Sequence, residues 1–163
     1  MAAARRAPRV GRERPRRGAI LYATDFSSAS RPAMARATEF ARRQRAELVV
    51  LHVLTPASPL VNRRPPSSWI ELLARARAHA QRQLAETVRV AKRSGADVTG
   101  RLVEGEPAET IVREARRARA DLVVIGTHGR SGLGRMFMGS VAARVLALCR
   151  VPVLTVRGHA KRR

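Results

Sequence analysis

The chain has 163 residues, of which 45% are hydrophobic, enough for one domain with an ordered core. Its longest apolar runs, residues 48–54 and 122–125, are far shorter than the roughly 20 residues that cross a bilayer, so no membrane span is expected. The single cysteine, Cys149, excludes a disulfide within the chain and suits a reducing compartment such as the cytoplasm.

The net charge is +21, and the two ends of the chain are notably basic. Residues 1–17 contain seven Arg and one Glu, giving +6, and their lack of apolar periodicity predicts a disordered basic arm. Residues 158–163 form a short basic tail. So basic a chain is expected to adhere to polyanions at low salt. Weak, non-specific nucleic-acid binding through the arm is therefore one hypothesis, and a solvated arm without a partner is the other.

Residues 18–157 alternate between strand and helix patterns. The first strand is predicted at residues 19–23 and the second at residues 47–54, and the helix between them has Pro32 in its first turn. Residues 56–68 contain four prolines and are predicted to form an exposed loop. A long amphipathic helix follows over about residues 69–93. Its apolar residues are expected to face the sheet: Ile70, Leu73, Leu84, Val88 and Ala91.

Three more strands are predicted at residues 97–103, 121–125 and 151–156. The helix after the third strand places apolar residues inward: Ala108, Ile111, Val112 and Ala115. The last helix is expected to do so with Val141, Val145, Leu146 and Leu148. This alternation implies a single doubly wound α/β domain, with a five-stranded parallel sheet, right-handed crossovers and helices on both faces.

The loop after the fourth strand is the most informative stretch. It contains closely spaced glycines and ends where the last helix begins: Gly126, Gly129, Gly132, Gly134 and Gly139-Ser140. Glycine permits positive φ and lets a ligand approach the backbone. Free amides at a helix start favour an anion such as phosphate, and Ser140 could cap the helix or donate to that anion. The spacing fits neither a P-loop nor a dinucleotide fingerprint, and a tight turn without a ligand is the alternative.

The array Gly126-x2-Gly129-x9-Gly139-Ser140 resembles the signature of the ATP-binding branch of the universal stress protein family. Residues 20–27 (ILYATDFS) and 49–53 (VVLHV) resemble earlier segments of that family, and residues 104–107 and 151–156 resemble later ones. The resemblance covers residues 18–157. It implies the strand order 3-2-1-4-5, with helices on both faces of the sheet.

In that order the switch point lies between the first strand, which ends at Asp25, and the fourth, which ends at Gly126. Asp25 is therefore expected to contact a ligand, or else to cap the first helix. The resemblance implies that adenine and ribose lie near Ala23, Thr24, Asp25 and Val53. It implies that ribose and phosphates lie near Gly126, Gly129, Gly139, Ser140 and Val141.

Charged groups in the glycine-rich loop are further candidates for phosphate contacts. Arg130 and Arg135 could contribute charge to the phosphates, although loop arginines are more often solvated. His128 is a weaker candidate for a phosphate contact, and His52 is expected to be a hydrogen-bonded core residue. The resemblance implies Mg²⁺ or Mn²⁺ with the ATP, without a dedicated ligand cluster in the sequence.

The resemblance implies a cytoplasmic ATP-binding protein that acts as a nucleotide-dependent stress-response switch or tolerance factor. No combination of base, nucleophile and orienting group is visible, so any hydrolysis is expected to be slow. A weak ATPase and a basic nucleic-acid-associated stress protein are the alternatives. Residues 151–156 would form an apolar edge strand, and such an edge is expected to pair with a second copy in a homodimer.

Overall fold

The computed structural model describes residues 18–55, 67–127 and 138–158. It contains five strands, which are β1 Ala19–Ala23, β2 Glu47–Leu54, β3 Asp97–Glu104, β4 Ala120–Gly126 and β5 Val153–Val156. The strands form one sheet in the order β3-β2-β1-β4-β5, and every neighbouring pair is parallel. The predicted five-stranded parallel sheet and its strand order are confirmed.

Helices connect the strands across both faces. They are α1 Arg31–Gln44, which follows a short 3-10 turn at Ser28–Ser30, α2 Ser67–Lys92, α3 Pro107–Arg117 and α4 Ser140–Leu148. Side chains of α1 and α2 join the core on one face of the sheet, and side chains of α3 and α4 join it on the other. Each helix runs antiparallel to the strands, so helix N-termini lie at the carboxyl edge of the sheet and helix C-termini at the amino edge.

The core is divided by the central strand, β1. Ile20 and Tyr22 face the α1–α2 side, whereas Leu21 and Ala23 face the α3–α4 side. All four are at most 5% exposed. A strand covered on both faces must be apolar at successive positions, which explains the continuous hydrophobic runs seen in the sequence.

Some predicted boundaries and core residues are wrong. The fifth strand begins at Val153 rather than at residue 151, and α2 begins at Ser67 rather than at residue 69. Ile70 and Leu73 are exposed by 56% and 41% instead of facing the sheet. The 26 residues of α2 span about 39 Å at 1.5 Å per residue. The eight-residue β3 spans only about 26 Å, so the first turns of α2 extend past it.

The last helix also differs from its prediction. Ala142 and Val145 are buried, and Val141 packs against the core beside them. Leu146 and Leu148, however, are 41% and 43% exposed. Since β5 is the outermost strand, α4 lies at the border of the sheet. No element within the described ranges covers these two leucines.

Helix α2 packs so closely on β3 that Gly100 has no room for a side chain. A Cβ added there would lie 2.9 Å from Val88 Cγ2 and 3.2 Å from Leu84 Cγ. We expect Gly100→Val to lower the free energy of unfolding by about 1–3 kcal/mol through overpacking, as measured by urea denaturation. Leu84→Ala would free space, so the double variant should lose less stability than the two single losses added together. Additive losses would contradict this close packing.

Candidate functional site

A cleft of about 490 Å³ opens at the carboxyl edge of the sheet. It spans the ends of β1 and β4, the two strands from which the chain crosses to opposite faces, where doubly wound sheets bind ligands. Small-molecule sites have similar volumes, roughly 300–1,000 Å³. Its apolar walls include Ala23, Leu51, Val53, Ile111, Ile125 and Val141, and its polar side chains include Thr24, Asp25, Thr127 and Ser140.

The cleft brings together most of the residues predicted from the sequence. Those that line it are Ala23, Thr24, Asp25, Val53, Gly126, Gly139, Ser140 and Val141. Gly129 and Arg130, together with His128 and Arg135, lie outside the described residues. That these groups bind a ligand stays a prediction.

Asp25 is held by the backbone yet keeps one oxygen unused. Its Oδ1 accepts a hydrogen bond of 3.0 Å from the Ser27 amide, so the carboxylate caps a local turn rather than α1. Its Oδ2 is buried and has no hydrogen-bond partner among the residues that the structure describes. Leaving a buried oxygen unpaired costs about 1–3 kcal/mol, which a ligand hydroxyl could offset by donating to it.

A buried polar network supports the chain between β1 and α1. Tyr22 OH donates to the Ser30 carbonyl over 2.9 Å, and the hydroxyls of Thr24 and Ser30 lie 3.2 Å apart. Thr24 Oγ1 also accepts a 3.0 Å hydrogen bond from the Phe26 amide. Phe26 has a left-handed backbone with φ of 62°, so the network holds the turn that presents Asp25.

His52 has a structural role in this turn, as expected from its position in an apolar strand. Its Nδ1 lies 2.7 Å from the Thr24 carbonyl oxygen, and a carbonyl can only accept, so Nδ1 carries the proton. The imidazole also stacks on the Phe26 ring, with centroids 4.2 Å apart. These two contacts fix the end of β1 against the end of β2.

The two ends of the glycine-rich loop are fastened together. The Thr127 amide donates to the Val156 carbonyl over 2.9 Å, and the Gly139 amide donates to the Thr127 carbonyl over 2.7 Å. Gly139 has φ of −58°, and Gly126 has no positive φ either, so neither glycine uses the left-handed region that glycine permits.

The start of α4 presents free amides to the cleft. Gly139 is the N-cap residue and Ser140 is the first helical residue, so of the two roles considered for Ser140, capping the helix is wrong and donating to an anion stays a prediction. The first helical hydrogen bond runs from the Ala143 amide to the Gly139 carbonyl. The amides of Ser140, Val141 and Ala142 consequently have no partner within the helix, and they carry its positive dipole end.

Sequence reasoning missed the contribution of α3. Pro107 and Ile111 line the cleft, and Glu109 forms an ion pair with Arg144 that joins α3 to α4. The right-handed crossover rule could have predicted this contribution, because it places the start of every helix at the same sheet edge.

Over the described ranges, no group of three or more His, Cys, Asp or Glu side chains could hold a metal ion. No helix there is long and apolar enough to cross a membrane.

Comparison with known proteins identifies the family. The sequence pattern of the universal stress protein family matches residues 17–157. The chain belongs to the universal stress protein family. A universal stress protein of Methanocaldococcus jannaschii is 34% identical over 138 residues, covering 85% of this chain and 81% of that protein.

Solved members of the family share the fold. Universal stress protein UspA from Lactobacillus plantarum has a TM-score of 0.76 at 26% identity, covering 88% of this chain and all of that one. A universal stress protein in complex with cAMP has a TM-score of 0.64 at 28% identity, covering 88% and 98%. The universal stress protein from Archaeoglobus fulgidus in complex with dAMP has a TM-score of 0.63 at 26% identity, covering 86% and 98%.

The network below the site predicts a specific alkaline sensitivity. Burial raises the pKa of the Tyr22 hydroxyl above its ordinary value of 10.0. The unfolded chain therefore ionises first, so the stability from neutral Tyr22 is complete below pH 10.0 and decreases as the pH rises through the folded-state pKa. Tyr22→Phe should flatten this decrease in urea unfolding. Tyr22 is the only tyrosine, so tyrosinate absorbance should titrate above 10.0 in the folded protein, and a titration at 10.0 would contradict this.

Proposed function

We propose that this member of the universal stress protein family binds ATP in the cleft at the carboxyl edge and acts as a nucleotide-dependent stress-response switch. The observation that carries the proposal is Asp25, a cleft residue whose buried Oδ2 has no partner among the described residues. A ribose hydroxyl is a donor suited to that oxygen. The free amides of α4 lie in the same cleft and suit phosphate.

The walls of the cleft suit a base that is apolar on its faces. Ala23 and Val53 lie on the α3–α4 side of the sheet, and Ile111 of α3 lies there as well. In the proposed arrangement adenine packs near Ala23 and Val53, and the ribose hydroxyls donate to Asp25. The phosphates then extend toward Gly139 and the first turn of α4.

Relatives with adenine nucleotides support the ligand class. The two solved family members described above were bound to cAMP and to dAMP, so this fold accommodates an adenine nucleotide in those proteins. That this protein binds ATP with Mg²⁺ or Mn²⁺ is our proposal. Because the described residues offer no cluster of metal ligands, the ATP phosphates and water would supply most of the coordination.

Two variants at the start of α4 test phosphate binding. A valine side chain at Gly139 would occupy the space that the phosphates need, so Gly139→Val should weaken Mg-ATP binding at least tenfold, about 1.4 kcal/mol. Ser140→Ala should cost about 0.5–1.5 kcal/mol, the value of one hydrogen bond. Isothermal titration calorimetry measures both, and Ser28→Ala, an exposed serine outside the cleft, is the matched control. Gly129→Val, in the same loop, is expected to resemble Gly139→Val.

A well-folded wild-type protein that shows no heat of binding and no thermal shift with Mg-ATP would contradict the proposal. Asp25→Asn separates the ribose contact from the phosphate contact, because the amide replaces one acceptor oxygen by a donor. It should weaken ATP and adenosine alike, whereas Gly139→Val should weaken ATP more than adenosine. Phosphate release that is abolished in Gly139→Val would favour the weak ATPase instead of a switch without turnover.

Assembly through β5 is also proposed. Val153–Val156 is half-buried and forms the border of the sheet, so its outer backbone groups are available for pairing with a second copy.

Light scattering of the wild type at tens of micromolar should give the mass of a homodimer. Thr155→Lys should shift it toward monomer, because lysine on an edge strand opposes pairing. A monomeric wild type would contradict the proposal. The cytoplasmic location stays a prediction from the sequence.

A further inference from the structure

The amino edge of the sheet, opposite the cleft, is covered with basic side chains. All four helices end there, and each contributes exposed basic residues at or just beyond its last turn. We call this surface the basal face. Its residues are Arg42, Arg43 and Arg45 after α1, Lys92 and Arg93 after α2, Arg116, Arg117 and Arg119 after α3, and Arg150 after α4.

Few of these charges are neutralised. Arg43 pairs with Glu39 at 2.7 Å, and Arg117 lies 3.8 Å from Glu114. The other basal basic residues form no ion pair within the described part of the chain. Three carboxylates share this edge, at the strand starts: Glu47, Asp97 and Asp121. Glu47 accepts from the Thr99 hydroxyl, Asp121 accepts from the Ala19 amide, and Asp97 also has an interaction, so none of the three is free.

Two basal arginines occupy strained backbone positions. Arg45 has φ of 53° and Arg119 has φ of 50°, both in the left-handed region that glycine or asparagine usually fills after a helix. Neither arginine is buried, and neither forms an ion pair with a described residue. Packing and pairing therefore do not account for arginine at these positions. Strained residues that the fold does not require are typical of functional surfaces.

The helix dipole does not account for the arrangement either. A basic residue in the last turn offsets the negative end of the dipole, an effect that fades beyond that turn. Glycine at positions 45 and 119 would end the helices without strain. Arginine there adds positive charge to a surface that is already basic, which favours an external anionic partner.

We propose that the basal face binds the sugar–phosphate backbone of double-stranded nucleic acid. Arginine binds phosphate oxygens with two parallel hydrogen bonds, and the basal arginines come from different helices, so they offer separate contacts to several phosphates. Among the described residues the face has no aromatic side chain, so it lacks the stacking groups that hold single strands. None of the described elements projects from this face to enter a groove, so binding should not depend on sequence.

A duplex fits this surface better than a membrane does. Surface binding to lipid combines basic residues with aromatic and apolar side chains that enter the interface. Trp69, the only tryptophan, lies at the start of α2, which is at the opposite edge. The basal face lies at the edge of the sheet opposite the cleft, so the two surfaces share no residue.

The test uses the full chain and a random-sequence DNA duplex. Arg45→Gly/Arg119→Gly should raise the melting temperature, because strain is relieved, and should weaken duplex binding severalfold. The slope of log K against log salt should become shallower by nearly two, since each lost phosphate contact contributes about 0.9. Arg93→Gln/Arg116→Gln, which leaves both strained positions unchanged, should weaken binding and flatten the slope similarly.

The matched control is Arg31→Gln/Arg82→Gln. These two exposed arginines lie away from the basal face and have no ion pair within the described ranges, so the variant loses the same charge. It should bind the duplex like the wild type. Equal losses in control and basal variants, or unchanged binding in the basal variants, would overturn the proposal and favour overall charge or the arm at residues 1–17. Basal variants that lose binding to phosphatidylserine vesicles but keep duplex binding would also overturn it.

Discussion

The burial of β1 is the constraint on which the rest of the structure depends. All five of its residues are at most 6% exposed, and it pairs in parallel with β2 on one side and β4 on the other. A central parallel strand forces every connection to cross over a face through a helix. The chain therefore leaves β1 and β4 toward opposite faces, and that divergence opens the cleft at their carboxyl ends.

The cleft contains side chains that hydrogen-bond to one another and a few polar groups that are available to a ligand. Four side chains hold the turn after β1 because they hydrogen-bond to hydroxyls or carbonyls of the same group: Tyr22, Thr24, Ser30 and His52. Two kinds of polar group in the cleft are not used in this way. They are Asp25 Oδ2, which has no partner among the described residues, and the first amides of α4, which have none within the helix. One acceptor and a set of donors, placed across an apolar cleft, match the ribose and phosphate parts of a nucleotide.

The same crossover geometry divides the surface into two ends of opposite helix polarity. Helix N-termini with their positive dipole ends lie at the carboxyl edge, where the starts of α3 and α4 line the cleft, whereas helix C-termini lie at the basal face. The anion site that we propose at the cleft is made of backbone, which costs no side-chain entropy to organise. At the basal face the charge comes from exposed arginines, including Arg45 and Arg119 in strained positions. A compact anion suits the first surface, and an extended polyanion suits the second.

The sequence by itself determined the fold class, because alternating buried strands and amphipathic helices allow few topologies, and the resemblance on the glycine array gave the strand order. Together with that resemblance it indicated eight of the residues that line the cleft, since the ends of the two strands at a switch point must meet. Only the tertiary structure decided what depends on contacts between distant segments. One example is Asp25 Oδ2, which has no partner among the described residues. Others are the hydrogen bond from the Thr127 amide to the Val156 carbonyl and the exposure of Leu73, where α2 extends past the end of β3. Local patterns record which face of a helix is apolar, but not how far its neighbour extends to cover it.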